Sequence, residues 1–181
     1  MTMAEYLAYE AASDARHEFH DGTVVAMAGG TLEHAALAAA VAGELRQALL
    51  GMPCRVFSAD ARVRITATRL TTYPDVSVVC GKVDSPADDP NAITNPTLLV
   101  EVLSESTEAY DRGAKAAHYR RIASLREYVF VSQTEPRVEV HRRNEHDRWE
   151  LFESGLGQRA ELASVGASLD VDALHANPLA V

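Results

Sequence analysis

Leu98-Leu99-Val100-Glu101-Val102-Leu103 is the stretch on which the reading of this chain turns. Five of its six residues are apolar, as in a strand covered on both faces. The sixth is a carboxylate, which is costly to bury unless a counter-charge, a metal ion or several donors meet it. A second apolar run, Val76-Ser77-Val78-Val79-Cys80, is opened by Asp75. Side chains alternate along a strand, so Asp75 shares a face with Ser77 and Val79, and Glu101 with Leu99 and Leu103. If the two strands are neighbours, both carboxylates point to one end of the sheet. Downstream comes Lys115, one of two lysines among 17 basic residues. Two acids on adjacent strands and one lysine define a hypothetical divalent-metal site.

Hard oxygen ligands in such a pair suit Mg²⁺ or Mn²⁺, completed by waters and a substrate phosphate. A nearby lysine can orient or deprotonate the attacking water, or stabilise the phosphoryl oxygens. Each residue also has a purely structural account. Asp75 follows Pro74 at a strand edge, and Glu101 could pair with a buried arginine. Lys115 lies four residues after Asp111, the spacing of an ordinary helix ion pair. Glu33 opens a helix, where an acid favours the dipole, yet that turn would face the sheet and could support a metal through water. His17 and His20 flank Glu18 on an expected turn, where exposure to solvent is a better account than zinc.

The composition is that of a soluble globular protein, 47% apolar and 24% charged over 181 residues, and it predicts one domain spanning 1–181 with its core at about 15–160. No apolar stretch approaches the roughly 20 residues of a membrane span, and the N-terminus lacks a secretory pattern. Cys54 and Cys80 form no CxxC spacing and suggest no disulfide framework, so a reducing cytoplasm is the expected compartment. A net charge of −9 argues against general adhesion to nucleic acid. Arg62, Arg64, Arg69, Arg112, Arg120 and Arg121 could still hold a phosphate backbone, a weak DNA-binding signal. No phosphate loop or nucleophile elbow is present.

Periodicity predicts a helix over 3–12 with Thr2 as N-cap, two short strands around Asp21-Gly22, and a helix from Thr31 to about Leu50. Strands follow at 55–59, 61–66, 73–80 and 97–104, the last two central, with an acidic surface loop between them at 81–95. A helix over 107–123, strands at 127–132, 137–143 and 148–153, and a short helix near Asp172 complete an α/β chain with a mixed sheet.

The strings Tyr73-Pro74-Asp75-Val76-Ser77-Val78-Val79 and Pro96-Thr97-Leu98-Leu99-Val100-Glu101-Val102-Leu103-Ser104, with Asp111, Lys115 and Tyr119, resemble the Uma family of putative restriction endonucleases. The opening EYLAYEAASDARHEFHDGTVVAMAGGTLEH is similar to that family's start, and the likeness runs from about residue 4 to 175. The family is grouped with the PD-(D/E)XK nucleases. The resemblance implies a restriction endonuclease-like fold, a central mixed β-sheet flanked by helices. It implies that Asp75 and Glu101 are the metal-holding acids, with the carbonyl of Val102 beside them. The superfamily's usual lysine falls two residues after the second acid, where this chain has Leu103; the resemblance implies that Lys115 on the following helix replaces it. Glu33 is similar to an additional acid on the first helix.

The function expected from these residues is metal-dependent hydrolysis of phosphodiester bonds in DNA, with a homodimer as a plausible assembly. The alternative is a catalytically inactive nuclease fold kept as a binding or dimeric interaction module, which the acidic balance and Leu103 favour.

Overall fold

The computed structural model describes residues 1–27 and 29–176. Helix α1 (Met3–Ala11) begins where Thr2 and Glu5 cap each other's backbone N–H groups reciprocally. Strands β1 (His17–His20) and β2 (Thr23–Ala26) form a hairpin whose turn needs two left-handed residues. Asp21 and Gly22 supply them, at φ 46° and 94°. Helix α2 (Leu32–Ala48) starts at Thr31, whose hydroxyl accepts the His34 N–H at 3.1 Å.

Strands β3 (Cys54–Ser58), β4 (Arg62–Ile65), β5 (Leu70–Thr72), β6 (Val76–Cys80), β7 (Ala92–Ile93) and β8 (Leu98–Leu103) follow. A helical segment comes next: α3 (Glu108–Tyr110), a π-helical turn (Asp111–Lys115) and α4 (Ala116–Tyr119). The chain closes with β9 (Glu127–Ser132), β10 (Arg137–Arg143), β11 (Trp149–Gly155), the β12 (Arg159–Leu162) and β13 (Ala167–Asp170) hairpin, and α5 (Val171–His175). One sheet runs β11-β10-β9-β8-β6-β3, mixed because β8 and β9 are parallel. A second runs β2-β1-β5-β4-β7.

Strand β8 is buried at every position, which is why it reads as an almost unbroken apolar run. Leu98, Val100 and Val102 face the core formed with Leu37, Val41 and Leu45 of α2, spaced at i, i+4, i+8. Leu99 and Leu103 face the other core, with Tyr119, Ile122, Leu125 and Phe130. Glu101 lies on that second face, under the helical segment.

Three expectations need correction. The helix expected over 107–123 runs only from Glu108 to Tyr119 and carries a π turn, Asp111–Lys115, in its middle. The acidic segment 81–95 contains β7 and is pinned by Asp89, 2% exposed, whose carboxylate takes two hydrogen bonds from Arg62. Cys54 and Cys80, read as free, are joined in a disulfide. They are register partners across the antiparallel β3–β6 pair, a relation that spacing along the chain does not reveal. The cysteines therefore no longer argue for a reducing cytoplasm. Among the described residues no helix is long and apolar enough to cross a membrane.

Candidate active site

Register places the two acids. Strands β6 and β8 are antiparallel neighbours with Val76 opposite Val100, so the next pair outward is Asp75 and Glu101. Asp75 Oδ2 accepts the Val102 N–H at 2.7 Å, which fixes its carboxylate against the end of β8. His34 Nε2, from the first turn of α2, lies 3.3 Å from the same oxygen.

Lys115 closes the site from the other side. Its Nζ stands 2.9 Å from Glu101 Oε1 and 3.4 Å from both Glu18 Oε1 and Asp111 Oδ1. The Tyr119 hydroxyl donates to Glu101 Oε1 as well. Asp111 and Lys115 bound the π turn and are both buried. A π turn shifts the facing of side chains within a helix and is found often at functional sites; here it directs Asp111 and Lys115 inward together. Glu18 is held in turn by the hydroxyls of Thr72 and Tyr110.

These surroundings set the protonation states. Burial pushes the Glu101 pKa above the carboxylate range, partly opposed by the Lys115 charge; Asp75 and Asp111 push it further up. Burial acts to lower the Lys115 pKa, but the pull of Glu101, Glu18 and Asp111 outweighs it and raises the value, so Lys115 stays charged. The Asp75 hydrogen bond raises His34, against burial. Burial drives the Tyr119 hydroxyl well up, so it remains a donor.

The sequence-predicted residues separate clearly. Asp75, Glu101, Val102 and Lys115 line one cavity of about 520 Å³. Glu33 does not reach it; its side chain is exposed, and His34 takes the inward position on that turn. The N-cap at Thr31 fixes this rotation, since it sets which residue of the first turn faces the sheet. Glu18, between His17 and His20, joins the site without being marked by any sequence motif. The alternation in β1 gave a signal, because Phe19 and His17 are its more buried positions and Glu18 lies on the opposite face.

A divalent cation fits some of these donors and not others. Among the described residues no three His, Cys, Asp or Glu side chains are grouped to hold an ion. That disfavours zinc, which takes four protein ligands, or three and a water. Mg²⁺ asks less, binding through one or two carboxylates and otherwise through water and substrate phosphate. Hydrogen bonds from the described residues fall on Asp75 Oδ2 and Glu101 Oε1, so each of these cavity-lining carboxylates keeps a second oxygen as a hard donor. Four acidic side chains (Glu18, Asp75, Glu101, Asp111) line the cavity with one lysine, Lys115, and two histidines, His20 and His34.

Residues 3–172 match the family Uma2, described as "Putative restriction endonuclease". The chain belongs to the Uma2 family. It is 36% identical over 171 residues to "Uncharacterized protein slr1290" of Synechocystis sp., covering 94% of this chain and 89% of that protein. It is 32% identical to "Uncharacterized protein sll1609" of the same organism, covering 90% and 91%. Its fold is shared with a crystal structure from Anabaena variabilis titled "a putative nuclease belonging to DUF820". The TM-score is 0.76 over 96% of this chain and 97% of that one, at 15% identity. In this Uma2 chain Leu103 packs in the core between β8 and the helical segment, and the ammonium beside Glu101 comes from Lys115.

Proposed function

We propose that this Uma2 protein is a Mg²⁺- or Mn²⁺-dependent endonuclease that hydrolyses phosphodiester bonds in DNA. The observation that carries this reading is the convergence of Asp75, Glu101 and Lys115 on one cavity from two strands and a π turn. The matched family's description as a putative restriction endonuclease, and the description of the Anabaena variabilis protein as a putative nuclease, support it.

Asp75 Oδ1, Glu101 Oε2 and the Val102 carbonyl would hold the cation. Bound there, a divalent ion lowers the pKa of a water and neutralises charge on the phosphoryl group. Lys115 is charged, so its part is electrostatic: it orients the attacking water and faces the developing negative charge on phosphorus. It is not the base. Glu18 and Asp111 hold the ammonium in place, and Tyr119 fixes the Glu101 oxygen that Lys115 also touches. His34 braces Asp75 from the α2 side. Glu33, exposed, has no part in this arrangement.

The test is a calorimetric titration of Mg²⁺ and Mn²⁺ into wild type and Glu101→Ala, with a nuclease assay over several DNA forms. Wild type should bind the ion and cut, and Glu101→Ala should do neither while remaining folded. If the variant cuts as well as wild type, Glu101 is not a catalytic ligand and the assignment fails. Wild type that neither binds the ion nor cuts any DNA would be the signature of a non-catalytic interaction module.

A further inference from the structure

The cavity over Asp75 and Glu101 is poorly suited to continuous duplex DNA. Duplexes are held mainly by lysines and arginines placed along the phosphates. Among the described residues lining this cavity, Lys115 alone is a lysine or arginine, and three carboxylates already surround it. Nearby arginines are engaged too. Arg62 and Arg64 pair with Asp89 and Asp88, Arg69 with Asp21, and Arg112 with Glu108 and Glu139. The net charge is −9, and among the described residues lining the cavity no row of arginines or lysines is present to hold a duplex.

The walls offer different chemistry. Val25 and Met27 from the β1–β2 hairpin, together with Tyr110, line the cavity. Val25 is 57% exposed and Tyr110 40%. The Tyr110 hydroxyl donates to Glu18 Oε2 at 3.1 Å, which holds the ring at a fixed place on the wall. An anchored, accessible aromatic ring is a stacking platform for any base. The acids lie deeper, with Asp75 15% and Glu101 6% exposed at the side chain. A volume of about 520 Å³ is on the scale of a single small-molecule ligand.

We propose that the cavity receives one unpaired nucleotide, its base stacked on Tyr110 between Val25 and Met27, and its phosphodiester directed to the acids. The substrate class is then single-stranded DNA, or the unpaired end or flap of a duplex. Unpaired bases avoid the cost of unstacking that a continuous duplex imposes. The proposal rests on the nuclease reading above.

The experiment compares end-labelled single strands, blunt duplexes and flapped duplexes of the same sequence, with Mg²⁺ or Mn²⁺. Single strands and flaps should be cut at least about tenfold faster than blunt duplex. Binding of the single strand is read by fluorescence anisotropy with Ca²⁺ as the ion. Tyr110→Ala should weaken it about tenfold, and Tyr110→Phe, which keeps the stacking ring and loses only its tether to Glu18, should weaken it much less. Val25→Asp, on the edge strand β2 opposite Glu18, should also weaken it. Salt dependence should match one or two phosphate contacts rather than a row of about 6–10. Duplex cut as fast as single strand overturns the substrate class and leaves the nuclease reading standing. Single-strand binding indifferent to both Tyr110→Ala and Val25→Asp overturns it as well. No cleavage of any form with either ion removes the nuclease reading, and this inference with it.

Discussion

The Lys115 ammonium lies 2.9 Å from the Glu101 carboxylate, although one residue comes from a π-helical turn and the other from a buried strand. Glu101 is tolerated there because the ammonium meets it, while Lys115 has Glu18 and Asp111 as further partners. A lone charge at either position would be strongly penalised by desolvation. Glu18 and Asp111 extend the pair into a cluster of three acidic side chains around one ammonium.

Removing the ammonium should therefore cost both stability and activity. Lys115→Met leaves Glu101, Glu18 and Asp111 without their shared cation, and loss of one partner of a buried pair costs about 3–5 kcal/mol. Chemical denaturation should show that loss, and metal-dependent cleavage should vanish. Lys115→Arg keeps the charge but brings a broad planar group into a space occupied by a compact ammonium. It should recover part of the stability and little of the activity. A Lys115→Met protein as stable as wild type would mean that the cluster does not depend on this charge.

Cation binding should be visible as stabilisation without any DNA. A ligand at about 100 times its dissociation constant adds about 2.7 kcal/mol to a fold that binds it only when native. For a chain of this size that raises Tm by roughly 5–10 °C. Mg²⁺ and Mn²⁺ should each produce such a shift in differential scanning calorimetry, and chelation should reverse it. Asp75→Asn retains an oxygen that can accept the Val102 N–H but lowers the ligand charge, so its shift should be much smaller. An undiminished shift in that variant would place the ion elsewhere.

Much of this was legible in the sequence, and what was not has physical causes. The acids could be paired because strand alternation and an apolar background made Asp75 and Glu101 conspicuous. The helix caps at Thr2 and Thr31 and the turn at Asp21-Gly22 were also readable, since each depends on local chemistry. Register was not. The Cys54–Cys80 bond needs β3 and β6 to pair in one register, and β7 is too short, at two residues, to carry a periodic signal. The π turn defeated a helical wheel, which assumes one constant rotation per residue. Glu18 reaches the site only because the second sheet brings β1 beside Lys115, a tertiary relation invisible along the chain.

The neighbours Glu33 and His34 should respond differently to the same change. Glu33 is exposed and away from the cavity, so Glu33→Ala should alter stability by no more than about 0.5 kcal/mol and leave the cation-induced Tm shift intact. His34 braces Asp75, so His34→Ala should reduce that shift and weaken cation affinity about 10- to 100-fold, as removal of a partner supporting a ligand commonly does. The reverse outcome, loss with Glu33→Ala and none with His34→Ala, would restore the acid to the site.

Acid sensitivity should trace partly to Glu139. Its carboxylate takes two hydrogen bonds from Arg112, at 2.6 and 2.7 Å, and tethers the π turn to β10. The Arg112 hydrogen bonds hold its pKa below the ordinary glutamate value, against the opposing effect of burial. A carboxylate depressed in the folded state binds fewer protons there than in the unfolded chain. Its contribution is therefore complete above the unfolded value, about 4.3, and is lost as pH falls through the lower folded value. Glu139→Gln removes the charge and with it this linkage. Hydrogen bonds to charged groups are worth about 1.5–3 kcal/mol, so the variant should be less stable than wild type by about that much at pH 7. The gap should narrow on acidification below about pH 4, as wild type protonates Glu139 and the variant has nothing there to protonate. Denaturation midpoints of the two proteins measured from neutral to acid pH would decide it, and a constant gap across that range would remove Glu139 as a source of the acid limb.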